Sequence, residues 1–152
     1  MIPDMGITIR EATLNDLEVL AKLFDSYRIF YRKPSNIAGA KEFLQQRMSR
    51  KESIIFIAEE KEPVAFAQLY PLFSSTRMKR LWLLNDLFVH PDFRRKGIAK
   101  LLVARCHQLV KETNACGVML ETERDNIIAN QLYAKVGFQL IESNFYFHEN
   151  PL

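Results

Sequence analysis

The sequence of 152 residues is poor in glycine and cysteine. It contains neither G-x-x-x-x-G-K-[ST] nor G-x-G-x-x-G, which excludes two glycine-rich loops that hold nucleotide phosphates. Its glycines are too far apart for either: Gly6, Gly39, Gly97, Gly117 and Gly137. The two cysteines, Cys106 and Cys116, do not form a disulfide framework, and they favour reduced thiols in a cytosolic protein.

Long apolar runs and a strong charge imbalance are also absent. No stretch reaches the roughly 18 consecutive apolar residues of a membrane span, and no basic leader precedes an apolar segment at the N-terminus. The 21 Lys and Arg residues against 18 Asp and Glu residues give a net charge of +3, with cations and acids interleaved. We therefore expect a cytoplasmic protein with no membrane and no nucleic-acid partner.

The chain lacks low-complexity tracts, repeats and linkers, so its segments are expected to pack as one domain over residues 1–152. Apolar periodicity predicts the order strand, two helices, three strands, helix, strand, helix, strand. Helix N-caps are predicted at Thr13 or Asn15, at Ser35 or Asn36, and at Asn126. The final segment, FQLIESNFYFHE, is predicted to form one or two strands.

The segment HPDFRRKGIAK (90–100) places three cations and a glycine directly after the apolar strand LLNDLFV. A strand that turns through a glycine into a helix leaves backbone N–H groups unpaired at the positive end of the helix dipole. Such a corner suits a phosphate or, better, a diphosphate. The alternative is a basic helix entry in solvent, with the glycine present for turn geometry.

A second segment, NIIANQLYAKVGF (126–138), follows about thirty residues later. Together the two segments resemble the signature motifs of the GCN5-related N-acetyltransferase (GNAT) superfamily. The pattern R/Q-x-x-G-x-G/A is matched by Arg94, Gly97 and Ala99. The second pattern of the superfamily is N-x-x-A-x-x-L-Y-x-x-x-G-F. It is matched by six residues: Asn126, Ala129, Leu132, Tyr133, Gly137 and Phe138.

The resemblance implies an α+β fold with a mixed, largely antiparallel sheet splayed in a V and flanked by about four helices. Acetyl-CoA is implied as the co-substrate, and no metal is implied. The stretches FY (30–31), LYPLFSS (69–75) and LNDLFV (84–89) look most like the small histone and polyamine acetyltransferase subgroup. The implied activity is direct transfer of an acetyl group to a primary amine.

The resemblance also implies where acetyl-CoA is held. The main chain of the strand end is expected to bind the pantetheine arm and the acetyl carbonyl, and the helix entry to bind the pyrophosphate. Asn126 is expected to cap its helix and could also contact the pantetheine arm. The expected coenzyme-binding residues are Leu87, Phe88, Val89, Arg94, Arg95, Lys96, Gly97, Ile98, Ala99, Asn126 and Tyr133.

Tyr133 is implied as the general acid, since a phenol is protonated at neutral pH and can donate to the departing thiolate. The amine must lose a proton before it attacks. Asn85 occupies the position where polyamine acetyltransferases carry a glutamate, and an amide is not a base. Asp86 is the nearest carboxylate, with Glu121 or Glu123 as substitutes. The alternative for Asp86 is a hydrogen-bonding role that orders a strand bulge.

Aromatic residues at the end of the first helix, Tyr27, Phe30 and Tyr31, are expected to form the acceptor wall, or otherwise simply part of the core. With Glu121 and Glu123 they suit an amine-bearing small molecule or peptide. A non-catalytic acyl-CoA-binding or sensor domain is the main rival function. A homodimer is expected, formed through the terminal run NFYFHE.

Overall fold

The structure, a computed structural model, describes residues 6–151. Within this range the chain divides into two compact units, with the boundary between residues 121 and 122. The single domain expected over 1–152 stays a prediction.

The first unit is built on a five-stranded sheet with strand order β1-β2-β3-β4-β5. Neighbouring strands from β1 to β4 are antiparallel, and β5 runs parallel to β4. The predicted mixed, largely antiparallel sheet is confirmed. The strands are β1 (Thr8–Glu11), β2 (Ile54–Glu59), β3 (Pro63–Ser74), β4 (Lys79–Val89) and β5 (Val118–Met119).

Three helices belong to this unit and a fourth lies in the second unit, as expected. Thr13 caps a one-turn 3-10 helix that leads into α1, and the Asn36 side chain accepts from the Gly39 N–H to cap α2. The predicted cap at Asn36 is therefore confirmed, whereas Thr13 caps the 3-10 turn and α1 itself begins after Asp16, which makes no side-chain cap. The helices are α1 (Leu17–Phe30), α2 (Ile37–Ser49), α3 (Ile98–Glu112) and α4 (Ile127–Lys135).

The main core lies between the sheet and the pair α1 and α2. Helix α1 presents apolar residues at helical spacing, and β2, β3 and β4 present residues from one sheet face. The buried members of this core are Leu17, Leu20, Ala21, Leu23, Phe24, Ala40, Leu44, Ile55, Ile57, Phe66 and Phe88.

Strand β4 contains a bulge at Asn85. On β3 the consecutive residues Gln68 and Leu69 lie opposite Asp86 and Leu84, so Asn85 has no partner in the ladder. A bulge of this kind bends the strand and changes which face the following side chains point to. It thereby places Asp86, two residues before Phe88, on the sheet face that packs against α1 and α2.

Trp82 lies on the opposite face of β4, the face that packs against α3. Its indole Nε1 donates to the Thr113 hydroxyl at 2.9 Å, at the C-terminal end of α3. Trp82 and Phe88 are six residues apart, a spacing that keeps side chains on one face of a regular strand. They lie on opposite faces here because Asn85 interrupts the alternation.

The pairing of β4 with β5 is brief. The recorded partners are Trp82 with Val118 and Leu83 with Met119, and beyond Leu83 the described residues give β4 no β5 partner. The strand predicted between the third and fourth helices, over VMLET (118–122), is confirmed only in its first two residues. The second half of β4 thus has one edge paired to β3 and the other edge released from β5.

The second unit contains α4, which begins after Asn126 and ends in a glycine cap. The Asn126 side chain accepts from the Ala129 N–H at 3.2 Å, and the Phe138 N–H donates to the Tyr133 carbonyl at 3.0 Å. Gly137 adopts φ +96°, the left-handed conformation that this type of helix end requires. Both predicted ends of α4 are confirmed.

The terminal strand prediction is wrong, because residues 139–151 contain no strand in the described part of the chain. Phe145 and Phe147 are 71% and 90% exposed. Their alternation fits a strand, but a strand also needs a partner edge for its backbone groups. The sequence pattern contains no information on whether such an edge is present.

Candidate active site

The candidate site begins at the corner between β4 and α3. A one-turn 3-10 helix, Pro91–Phe93, is capped by the His90 ring and leads into two residues with positive φ, Arg95 at 62° and Gly97 at 76°. Glycine tolerates this conformation, whereas an arginine adopts it at a cost of about 1–2 kcal/mol. The backbone is thus held in an uncommon shape at the predicted phosphate corner.

The backbone N–H groups of this corner are open. Gly97 is the N-cap of α3 and supplies no side-chain cap. From Arg95 to Lys100, no backbone N–H donates to a protein acceptor within residues 6–151, and the first such bond comes from Leu101 to the Gly97 carbonyl at 3.2 Å. Converging N–H groups at a helix start bind anions.

The side chain of Arg94 is engaged elsewhere. Its Nε donates to the Val89 carbonyl at 3.0 Å, and its guanidinium lies 5.5 Å from the ring centre of Phe30 and 5.7 Å from that of Phe88. The free cations of the predicted motif are therefore the exposed Arg95 and Lys96, with Lys96 Nζ 5.0 Å from the Phe93 ring. Arg94 links the end of β4 to the end of α1.

At the C-terminal end of β4 the main-chain N–H and C=O groups of successive residues alternate: one residue bonds to β3, and the next faces the edge that is not paired with β5. The His90 N–H donates to the Val64 carbonyl at 2.9 Å, which makes this pair hydrogen-bonded across β3 and β4. Because such pairs alternate along an antiparallel ladder, Phe88 also bonds toward β3, while Leu87 and Val89 face the edge released from β5. Of the three predicted residues, Leu87 and Val89 therefore have main-chain groups on the β4 edge that is not paired with β5.

Asp86 is the buried carboxylate of the site, 5% exposed. Its Oδ2 accepts from Gln68 Nε2 at 2.8 Å and its Oδ1 from Asn85 Nδ2 at 3.1 Å, and the Tyr27 hydroxyl also donates to it. Burial raises the pKa of Asp86, and these hydrogen bonds only partly oppose the rise. Burial and the Asp86 charge together raise the pKa of the neighbouring Tyr70 to about 12.

The three aromatic residues predicted to form the acceptor wall come together beside Asp86. The ring centres of Tyr27 and Tyr31 are 5.0 Å apart, and those of Tyr31 and Phe30 are 5.3 Å apart, both edge to face. Tyr27 also packs 6.1 Å from Phe88. The wall is thus continuous from the Asp86 carboxylate to the guanidinium of Arg94.

The remaining predicted residues are described within their own units. Glu121 is exposed at the end of the first unit. In the second unit, Asn126 caps α4, Tyr133 is half-buried with its ring 5.6 Å from that of Phe138, and Glu123 is exposed. The roles predicted for these four residues stay predictions.

The sequence reasoning missed Gln68. It is the one polar residue in the run PVAFAQLY of β3, and the structure buries it completely against Asp86. A lone amide in an apolar strand was a usable signal, because buried polar side chains need partners.

Residues 6–151 contain no group of three His, Cys, Asp or Glu side chains that could hold a metal. No helix in the same range has the length and apolar content to cross a membrane.

The fold and this corner define a class of acyl-group transferases, and the comparisons identify the family. The Acetyltransferase (GNAT) family matches residues 20–138, and the chain therefore belongs to this family and is an acetyltransferase. An uncharacterised N-acetyltransferase of Bacillus subtilis (strain 168), YhfO, is 42% identical over 134 residues, 88% of this chain and 90% of the relative.

Solved structures agree with this assignment. A probable acetyltransferase superposes with a TM-score of 0.86 at 38% identity, covering 95% of this chain and 97% of the other. A predicted acetyltransferase of Clostridium acetobutylicum, solved with acetyl-CoA, has a TM-score of 0.77 at 19% identity, and the match covers 93% of this chain and 96% of the other. The second likeness shows the fold alone.

Replacing Gly97 with valine should weaken acetyl-CoA binding about fivefold to thirtyfold, since the positive φ of this corner costs a branched residue about 1–2 kcal/mol. A Cβ at Gly97 meets nothing within 4 Å, so the loss would come from the backbone and the filled corner. Titration calorimetry with acetyl-CoA measures the effect. Gly6→Val is the matched control, with φ +62° and equally open space at the far edge of the sheet. Wild-type affinity in Gly97→Val would contradict the backbone cradle.

Replacing Asp86 with asparagine should increase the free energy of unfolding relative to wild type, and this increase should be larger at pH 7.5 than at pH 4. Because the folded-state pKa of Asp86 is raised, ionising it as pH rises above about 4 costs folding free energy, and asparagine avoids this cost. Urea unfolding at both pH values measures the free-energy difference between Asp86→Asn and wild type. The difference should grow as the pH rises. A constant or shrinking difference for Asp86→Asn would contradict the buried-charge account.

Proposed function

We propose that this chain is an acetyl-CoA-dependent N-acetyltransferase that transfers acetyl directly to a primary amine. The observation that carries the proposal is the run of open N–H groups from Arg95 to Lys100 beside the released edge of β4. An anion corner and an unpaired strand edge suit a ligand with a diphosphate at one end and an amide-containing arm at the other.

On this proposal the N–H groups of Arg95 to Ala99 hold the diphosphate, with Arg95 and Lys96 adding charge. Acetyl-CoA supplies the activated acetyl group as a thioester. Leu87 and Val89 bind the pantetheine arm of acetyl-CoA through main-chain groups on the β4 edge that is not paired with β5. An N–H at this edge also stabilises the negative charge that develops on the carbonyl oxygen during attack.

Asp86 receives a proton from the incoming ammonium, and its raised pKa suits a group that must accept one. The freed nitrogen lone pair then forms the C–N bond, the C–S bond breaks and the thiolate leaves. The nitrogen, which still carries two protons, releases one to solvent to give the neutral amide. The aromatic wall of Tyr27, Phe30 and Tyr31 borders the amine, with Glu121 and Glu123 favouring a cationic acceptor. Asn85 holds Asp86 rather than serving as a base.

From the family resemblance we assign Tyr133 as the acid that protonates the departing thiolate, and Asn126 as a further contact to the pantetheine arm. The acceptor would be a polyamine, a lysine of a peptide or histone tail, or another small amine. The short strings shared with the histone and polyamine subgroup favour the first two.

A non-catalytic acyl-CoA-binding domain is the second candidate. The exposed Asn85 favours it, because an amide stands where the polyamine enzymes carry a glutamate. Such a domain would bind acetyl-CoA and release no thiol with any amine.

We also propose a homodimer and a cytoplasmic location, with no nucleic-acid or membrane partner. The apolar terminal side chains Phe145, Tyr146 and Phe147 are 71–92% exposed, and a second copy is the partner we assign to them.

A thiol-release assay over a panel of amines tests the proposed function. The panel contains spermidine, a lysine peptide, a histone-tail peptide, an amino sugar and an aminoglycoside. We expect release with at least one amine, and a drop in kcat of about 10²-fold or more in Tyr133→Phe with unchanged acetyl-CoA affinity.

Two results would count against this account. Acetyl-CoA binding without thiol release from any amine favours the non-catalytic domain. Calorimetric binding of a random DNA duplex, but not of acetyl-CoA, would overturn the coenzyme site altogether. Unchanged turnover in Tyr133→Phe would remove only its acid role.

A further inference from the structure

Gln68 lies at the centre of β3, directly opposite Asp86 across the β3–β4 ladder. Its side chain is fully buried, and its Nε2 donates to Asp86 Oδ2 at 2.8 Å. Phe66 and Tyr70, two residues away on either side, share its sheet face. The amide therefore belongs to the same polar cluster as the candidate base.

The carbonyl oxygen of this amide, Oε1, has no hydrogen-bond donor among the described residues. Gln68 Oε1 is buried and accepts no hydrogen bond from any residue between 6 and 151. Buried carbonyl oxygens in folded proteins almost always have a donor, so an unused one indicates a group that is supplied from outside the chain. That group must be a hydrogen-bond donor.

The surroundings restrict which donor fits. Asp86 presents a carboxylate beside the amide, and its Oδ1 accepts a hydrogen bond from the exposed Asn85. A carboxylate and a carbonyl oxygen side by side are complementary to a cation that carries several N–H groups. A primary ammonium has three.

We propose that Gln68 is part of the amine subsite: its Nε2 positions Asp86, and its Oε1 accepts an N–H of the incoming primary amine. This inference rests on the proposed N-acetyltransferase function. When the ammonium passes one proton to Asp86, the neutral amine keeps two N–H groups, so the bond to Gln68 is retained while the nitrogen lone pair becomes available. The same contact disfavours amines that carry no N–H.

The test compares two cations of equal charge, n-butylamine and butyltrimethylammonium, of which only the first has N–H donors. Their dissociation constants are measured by NMR titration in the presence of coenzyme A. Wild type should bind butylamine at least about tenfold more tightly, since a site built for hydrogen bonding rejects a ligand that lacks the donor. Gln68→Leu should reduce this ratio to about twofold by removing the acceptor.

Two further variants distinguish binding of the amine by Gln68 from mere positioning of Asp86. Tyr70→Phe, two residues along the same face, should keep the wild-type ratio. Gln68→Glu restores an acceptor oxygen and should show a ratio clearly above that of Gln68→Leu. If the leucine variant does not fold, as judged by thermal unfolding, Gln68→Met takes its place.

The outcomes are distinct. A wild-type ratio in Gln68→Leu, or a Gln68→Glu ratio no better than that of leucine, would overturn the inference and leave Gln68 as a support for Asp86 whose Oε1 binds water. Thiol release by wild type in the amine panel would at the same time uphold the proposed function. No release with any amine would remove both.

Discussion

The bulge at Asn85 is the local constraint on which the rest of the site depends. One unpaired residue in β4 moves Asp86 and Phe88 to the face that packs against α1 and α2, while Trp82 stays against α3. The same bend coincides with the loss of β5 pairing after Leu83. If Asn85 instead took a place in the ladder, the Asp86 carboxylate would point to the other face, and no bend would separate the β4 edge from β5.

Arg94 joins the two halves of the site in the first unit. By bonding to the Val89 carbonyl and stacking on Phe30 and Phe88, it connects the β4 end to the aromatic wall. The motif arginine is therefore a structural link here, and under the proposed function the phosphate corner binds through main-chain groups. Arg95 and Gly97 hold positive φ in this short loop, the backbone shape on which that proposed recognition depends.

Much of this arrangement could be predicted from the sequence, because caps and periodicity are local. The caps at Thr13, Asn36 and Asn126 and the glycine end at Gly137 were all readable from neighbouring residues. The position of the bulge at Asn85 and the Gln68 contact were not, since both depend on register between two strands. The false terminal strand has the same origin, because alternation does not specify a partner edge.

Deletion of Asn85 tests the central claim most directly. The deleted residue has no ladder partner, so Gln68 opposite Asp86 and Leu69 opposite Leu84 are both retained and stability should change by about 1 kcal/mol or less. By this register Asp86 also stays on its present face, so the deletion removes the bend of β4 and keeps the carboxylate in place. We predict a folded protein whose acetyl transfer, measured by thiol release, falls far more than in Asn85→Ala, which keeps the bulge, because the straightened β4 edge no longer separates from β5. A folded deletion variant that transfers acetyl as fast as wild type would contradict the account.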